Sequence, residues 1–228
     1  MEILQDEKMI TRIAETFLPV LLTNLIRSGE LNIDKIDDSE YRAEIIERGI
    51  ALVDELQIQM INYSEFIEAT ESEIKSERFK SAFIMAGTCI EHILNHFYRE
   101  VLSLKQGLEA DEITKAITGL KIPDKIGWFF KLTTSETLSD KMINQVREII
   151  SIRNKIVHYQ ALPDDINFTG GSSHKLELII NGFNFNELVP FLNEFDSTLE
   201  GILNKVIPEI GIGNEVFEKY FKKNKTQD

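Results

Sequence analysis

The chain has 228 residues, 43% hydrophobic and 28% charged, with a formal net charge of -13 at pH 7. That balance fits a soluble globular protein with one sizeable helical domain and an extension, and the acidity argues against a broad nucleic-acid-binding surface while leaving room for one local basic cleft. A single cysteine, Cys89, excludes an internal disulfide and points to a reducing cytoplasm.

The acidic start "MEILQDEKM" lacks the basic opening of a secretory signal. The longest apolar run, around "FLPVLL", is too short to cross a bilayer and holds Pro19. A cytoplasmic protein with no membrane partner is expected. Ile10, Ile13, Phe17, Val20, Leu21 and Leu25 share a stripe that predicts a helix over 6–28, kinked at Pro19. After the polar "SGELNIDKIDDSE", Asp38 or Ser39 caps a long helix running from Tyr41 past Ile45 to Leu56 and Met60. Polar "EATESEIKSE" marks the next boundary, so residues 1–70 read as an N-terminal helical extension with no assigned role.

From 77 to 103 the pattern is strongest. Phe79, Phe83, Ala86, Ile90, Ile93, Leu94 and Phe97 fall on one helical face, with Gly87 at its edge. Glycine inside a helix costs about 1 kcal/mol relative to alanine, and close approach of another helix there would compensate. His92 and His96 lie four apart, but no third ligand accompanies them, so they read as surface histidines and no metal is expected. Cys89, at the rim of the same face, reads as core. A shorter helix follows over 110–118, then "IPDKIGWFFKL", a helix with Pro123 at its first position whose Trp128, Phe129 and Phe130 read as core. A long helix covers 138–158. After it "HKLELII" alternates and is followed by Asn181-Gly182 and "FNF", which predicts a short β-hairpin. Leu188, Phe191, Leu192, Phe195, Leu199 and Leu203 then mark the last main helix. The fold class is therefore an all-α bundle with a β-hairpin between the last two main helices. Its domain spans 71–210, and 211–228 forms a short helix and basic tail.

The 138–158 helix carries an anomaly. At about 100 degrees per residue, Ile143, Val146, Ile149, Ile150, Ile156 and Val157 cluster on one face with Arg153 near the centre. Asn154 and His158, four apart, share its flank. A buried arginine needs a partner. Glu91, one turn after Gly87 on the earlier helix, is the candidate. Two readings stand side by side: a structural ion pair beside a helix-terminal histidine, or a face that opens into a cleft or an interface. Lys141, Arg147 and Lys155 lie along the same helix as a local positive lane or as solvated charges.

"RNKIVHY", on a helix after "AGTCIEHIL" and "KIPDKIGWFF", resembles the signature of the HEPN superfamily (higher eukaryotes and prokaryotes nucleotide-binding), an Arg followed after four to six residues by a His. Arg153, Asn154 and His158 fit it with four residues between, and the likeness covers about 75–205. It implies an antiparallel helical bundle of HEPN type. It also implies a metal-independent endoribonuclease of the toxin or anti-phage defence kind, needing no cofactor. Arg153, Asn154 and His158 would be catalytic, Glu91 and Tyr159 supporting, and Lys155, Arg147 and Lys141 RNA-binding. Its partners would be an RNA substrate, a second copy completing a composite site, and an antitoxin or defence protein. Members of the family that have lost the chemistry leave an alternative: an inactive interaction or nucleotide-binding module.

Overall fold

A computed structural model describes residues 18–19, 21–53, 63–159 and 172–221. The chain divides into two compact units, one drawn from Met1–Met60 and Leu203–Asp228, the other Ile61–Ile202.

In the first unit, helix α1 covers residues 21–27 and α2 covers Ser39–Val53. The expected helix residues 6–17, with Leu56 and Met60, lie outside the described residues. Asp38 caps α2: its carboxylate accepts the Glu40 amide at 2.8 Å. The expected N-terminal extension and C-terminal segment meet here. Leu21, Leu22, Leu25, Leu31, Ile36 and Ile45 share a core with Val216 and Phe217 of the C-terminal helix. That helix, Pro208–Tyr220, comes so close at Gly213 that a Cβ would lie 3.0 Å from the Pro19 carbonyl. Tyr220 donates to Asp37 at 2.7 Å.

The second unit begins with α3, Tyr63–Lys75. It ends in a left-handed residue, Glu77, at φ 58, with the Glu77 and Arg78 amides returning to Ile74 and Glu73, a Schellman-type stop. Helix α4, Phe79–Glu100, follows, continued by a π-helical segment, Val101–Lys105. Its buried residues include Phe83, Ala86, Gly87, Cys89, Ile90, Ile93, Leu94 and Phe97, so the predicted face is the one that packs. Both α3 and the later helix Asp140–Tyr159 lie against it.

Helix α5 is Ala110–Gly119. The "IPDKIGWFFKL" segment, expected as one helix, is two: α6, Ile122–Lys125, and α7, Trp128–Thr134. Gly127 separates them, where a Cβ would come 2.9 Å from the Pro123 carbonyl. Phe130 is buried on Phe97, Phe129 lies on Tyr98, and Trp128 is 57% exposed. Helix α8, Asp140–Tyr159, starts with the Ser139 hydroxyl accepting the Met142 amide at 3.2 Å.

The predicted hairpin is corrected. Among the described residues there is no strand, and "HKLELII" belongs to helix α9, Ser172–Gly182. Leu176 and Ile180, four apart, are buried, while Leu178 and Ile179 are exposed. The apolar residues thus satisfy a helical spacing as well as an alternating one, and Asn181-Gly182 ends a helix where a hairpin turn was expected. Helix α10, Leu188–Val206, follows a 3-10 turn and buries the full expected set from Leu188 to Leu203. The C-terminal helix is α11. No described helix is long and apolar enough to cross a membrane.

Candidate functional site

Helices α4 and α8 are close because one residue lacks a side chain. A Cβ at Gly87 would lie 3.0 Å from Cγ and 3.3 Å from Cβ of Arg153. The arginine stem therefore lies directly across α4, covering apolar surface, while its head reaches the next turn. There Nη2 donates to Glu91 Oε2 at 3.4 Å and Nη1 to Asn154 Oδ1 at 3.1 Å. Nε is buried with no hydrogen-bond partner. The Arg153 side chain is 26% exposed and that of Glu91 35%, so this pair is neither sealed in the core nor free in solvent.

Beside the pair opens a cleft of about 1000 Å³. Arg147, Ile150, Ser151, Asn154, Lys155 and His158 line it from α8. Their spacing of three and four residues is one helical face. Glu91 and Asn95 of α4 face them, together with Lys121 and Lys125 around α6. Among the described residues Glu91 is the one carboxylate in this lining, set against Arg147, Lys155, Lys121 and Lys125.

Lys125 is unusual among these cations. It is only 5% exposed, and its ammonium donates to Asn95 Oδ1 at 2.7 Å. Burial pushes its pKa below the ordinary lysine range, and the charge of Glu91 opposes that push. Its backbone is also held, since the buried Tyr98 hydroxyl donates to the Lys125 carbonyl.

The cleft thus gathers five of the residues singled out in the sequence: Glu91, Arg147, Asn154, Lys155 and His158. Arg153 borders it through its bonds to Glu91 and Asn154. Lys141 is exposed near the start of α8 and does not line it. Tyr159 is the last residue of α8, and its side chain lies outside the described part. Asn95, Lys121 and Lys125 were missed. A helix wheel centred on apolar residues gives a lysine in a four-residue helix no weight, and only its burial reveals it.

The other singled-out residues stand apart from the cleft. His92 is exposed and lies on the Phe66 ring at 4.9 Å. His96 is half-buried near Tyr63, with Nδ1 4.0 Å from Glu100. Burial first, then the charge of Arg99, holds its imidazole below the usual range. No group of three or more metal-ligating side chains occurs among the described residues.

The chain matches no family model, no curated protein and no solved structure. Guanidinium and ammonium groups beside an amide are the donors that bind phosphate oxygens. A solvent-reachable histidine stands among them, a side chain that can serve as acid or base. In a chain of net charge -13, the cations Arg147, Lys155, Lys121 and Lys125 share one cleft with a single facing carboxylate among the described residues, an arrangement that favours an anionic ligand.

Proposed function

We propose that the chain is a metal-independent endoribonuclease of HEPN type, a toxin or anti-phage effector in the cytoplasm, acting at the α8 face from Arg147 to His158. The observation that carries this reading is the cleft itself. An acidic chain has collected Arg147, Lys155, Lys121 and Lys125 around Asn154 and His158, with Glu91 the single carboxylate facing them among the described residues. A phosphodiester is the substrate such a lining suits best.

In this reading the RNA 2′-hydroxyl attacks the adjacent phosphorus as a base removes its proton. The 5′-oxygen then leaves with a proton from an acid, giving a 2′,3′-cyclic phosphate and a free 5′-hydroxyl. Histidine serves either role. Arg153 and the cleft cations offset the charge that builds on the phosphorane, and Asn154 orients a phosphate oxygen or the imidazole. One chain offers one His158, so a homodimer joining two Arg153-Asn154-His158 sets across a two-fold axis supplies both acid and base. Activity of this kind calls for restraint by an antitoxin or defence partner.

The test is cleavage of RNA by the purified protein in EDTA, with end-group analysis. Cyclic phosphate ends, lost in His158→Ala and Arg153→Ala, are expected. Cleavage that survives both substitutions, or that requires a divalent ion, would sink the proposal. The Arg153–Glu91 pair at 3.4 Å favours a second reading, in which both charges are structural and the bundle is an inactive interaction or nucleotide-binding module. No cleavage, with destabilisation by Arg153→Ala, is its signature.

A further inference from the structure

We propose that Lys125, steadied by Asn95, forms a second phosphate subsite in the cleft, so that the protein grips single-stranded RNA through at least two backbone phosphates. This rests on reading the cleft as an RNA site, and it adds a binding residue and a substrate class.

Lys125 is 5% exposed, and a buried cation is expensive unless it is paired. Its hydrogen-bond partner, Asn95 Oδ1 at 2.7 Å, is neutral. The carboxylate whose charge acts on it, Glu91, already bonds Arg153 through Oε2. An ammonium has three donors, and one is satisfied by Asn95. Lys125 and Asn95 line the same cleft as Asn154 and His158. A cation so placed, with donors to spare, is fitted to an anion that enters from solvent.

Its depth selects the shape of that anion. A duplex carries its phosphates on a wide cylinder read by shape from outside. A lysine almost wholly withdrawn from the surface is reached only by a strand that enters the cleft. Lys121, on the same wall and exposed, continues the track outward. Cationic grooves that follow one backbone are the usual device for unpaired nucleic acid.

The experiment measures binding, not cleavage. Full-length protein carrying His158→Ala is titrated in EDTA, over a range of salt, with a single-stranded RNA bearing 2′-O-methyl sugars. The same sequence is titrated as a duplex. Lys125→Met should weaken single-strand binding by about 10-fold and flatten the log–log salt dependence by about 0.7, the value of one phosphate contact. Asn95→Ala, at a half-buried position, should weaken it less and in the same direction. Circular dichroism checks the fold, and if Lys125→Met fails to fold, Asn95→Ala decides. Unchanged affinity and slope in the folded variants would overturn the subsite, and equal affinity for the duplex would overturn the substrate class. The proposed nuclease activity can fail, with no cleavage by the unmodified protein, while this binding result stands. If the unmodified protein binds no RNA at all, both fall.

Discussion

The stem of Arg153 crosses α4 at Gly87, with its Cγ 3.0 Å from where a Cβ would stand. A methyl group at position 87 would make the helix intrinsically more favourable by about 1 kcal/mol and push on a side chain pinned at its head by Glu91 and Asn154. These effects oppose each other in stability but not in geometry. Gly87→Ala is therefore expected to change the thermal midpoint little while displacing the guanidinium, lowering RNA cleavage by about 10-fold. Gly87→Val should part the helices and cost on the order of 1–3 kcal/mol. Thermal denaturation and cleavage assays on both variants decide it. Full activity in Gly87→Ala would show that the position of Arg153 does not matter to the chemistry.

In the proposed RNA site the charge of Glu91 would oppose phosphate even as it holds Arg153. Both side chains are partly exposed, so removing the charge should cost about 1 kcal/mol or less in stability. It should also remove the one carboxylate from a cationic lining. Glu91→Gln, in a His158→Ala background, is expected to bind single-stranded RNA more tightly than its parent at low salt, with the difference closing as salt rises. Weaker binding at low salt would mean that Glu91 serves to orient Arg153, and that its charge does not compete with the ligand.

Much of this arrangement was legible in the sequence because helices write their faces at fixed intervals. The stripe from Leu188 to Leu203 and that from Phe83 to Phe97 are buried as read. So is the meeting of Gly87, Glu91 and Arg153, which two helix wheels had brought together. The failures have equally specific causes. "HKLELII" satisfies both periods over seven residues, and packing chose the helix. Val157 lies on the apolar side of the wheel yet is 44% exposed, while Ile152 is buried at 2%, because α8 packs on more than one neighbour. Lys125 belongs to no repeating pattern, and its burial comes from tertiary packing that no helix wheel displays.

The exposure of Val157, next to His158, bears on assembly. An apolar residue left in solvent beside the proposed catalytic histidine is a natural contact for a second copy. Light scattering is expected to give about twice the 26.2 kDa chain mass. Val157→Asp should shift the protein toward monomer, with loss of cleavage in proportion. A monomeric parent that still cleaves RNA would rule out the composite site.

Cys89 offers a test of the packing between α4 and its neighbours. The thiol is buried, with Sγ 3.8 Å from the Tyr63 carbonyl. Burial, and to a lesser extent the charge of Asp196, pushes its pKa up to about 12. At pH 8 the thiolate fraction is then on the order of one in ten thousand. A disulfide reagent at that pH should leave the native protein almost unlabelled and modify one thiol per chain once guanidinium unfolds it. Rapid labelling of the native state would mean that this core opens readily.

Glu100, the last residue of α4, gives a pH signature. Burial raises its carboxyl pKa above the usual range, and the neighbouring His96 imidazole, 4.0 Å away, is itself held low by burial and by Arg99, so it is a poor counter-charge at neutral pH. For a carboxyl raised in the folded state, the native protein binds the proton more tightly than the unfolded chain does. Its stabilising contribution is full below the unfolded pKa and is lost as pH rises through the folded value. Above that value an ionised, poorly solvated Glu100 is a standing penalty that Glu100→Gln removes. The variant should therefore melt higher than the parent at pH 8, with the gain shrinking toward pH 4, where both side chains are neutral. His96 works in the opposite sense: its lowered pKa costs stability as pH falls through the histidine range in parent and variant alike. Because His96 lies 4.0 Å from Glu100, the double variant Glu100→Gln/His96→Asn beside His96→Asn separates the carboxyl from its coupling to the imidazole. A gain of equal size at pH 4 and pH 8, or a loss at pH 8, would show that Glu100 is not desolvated in the folded state.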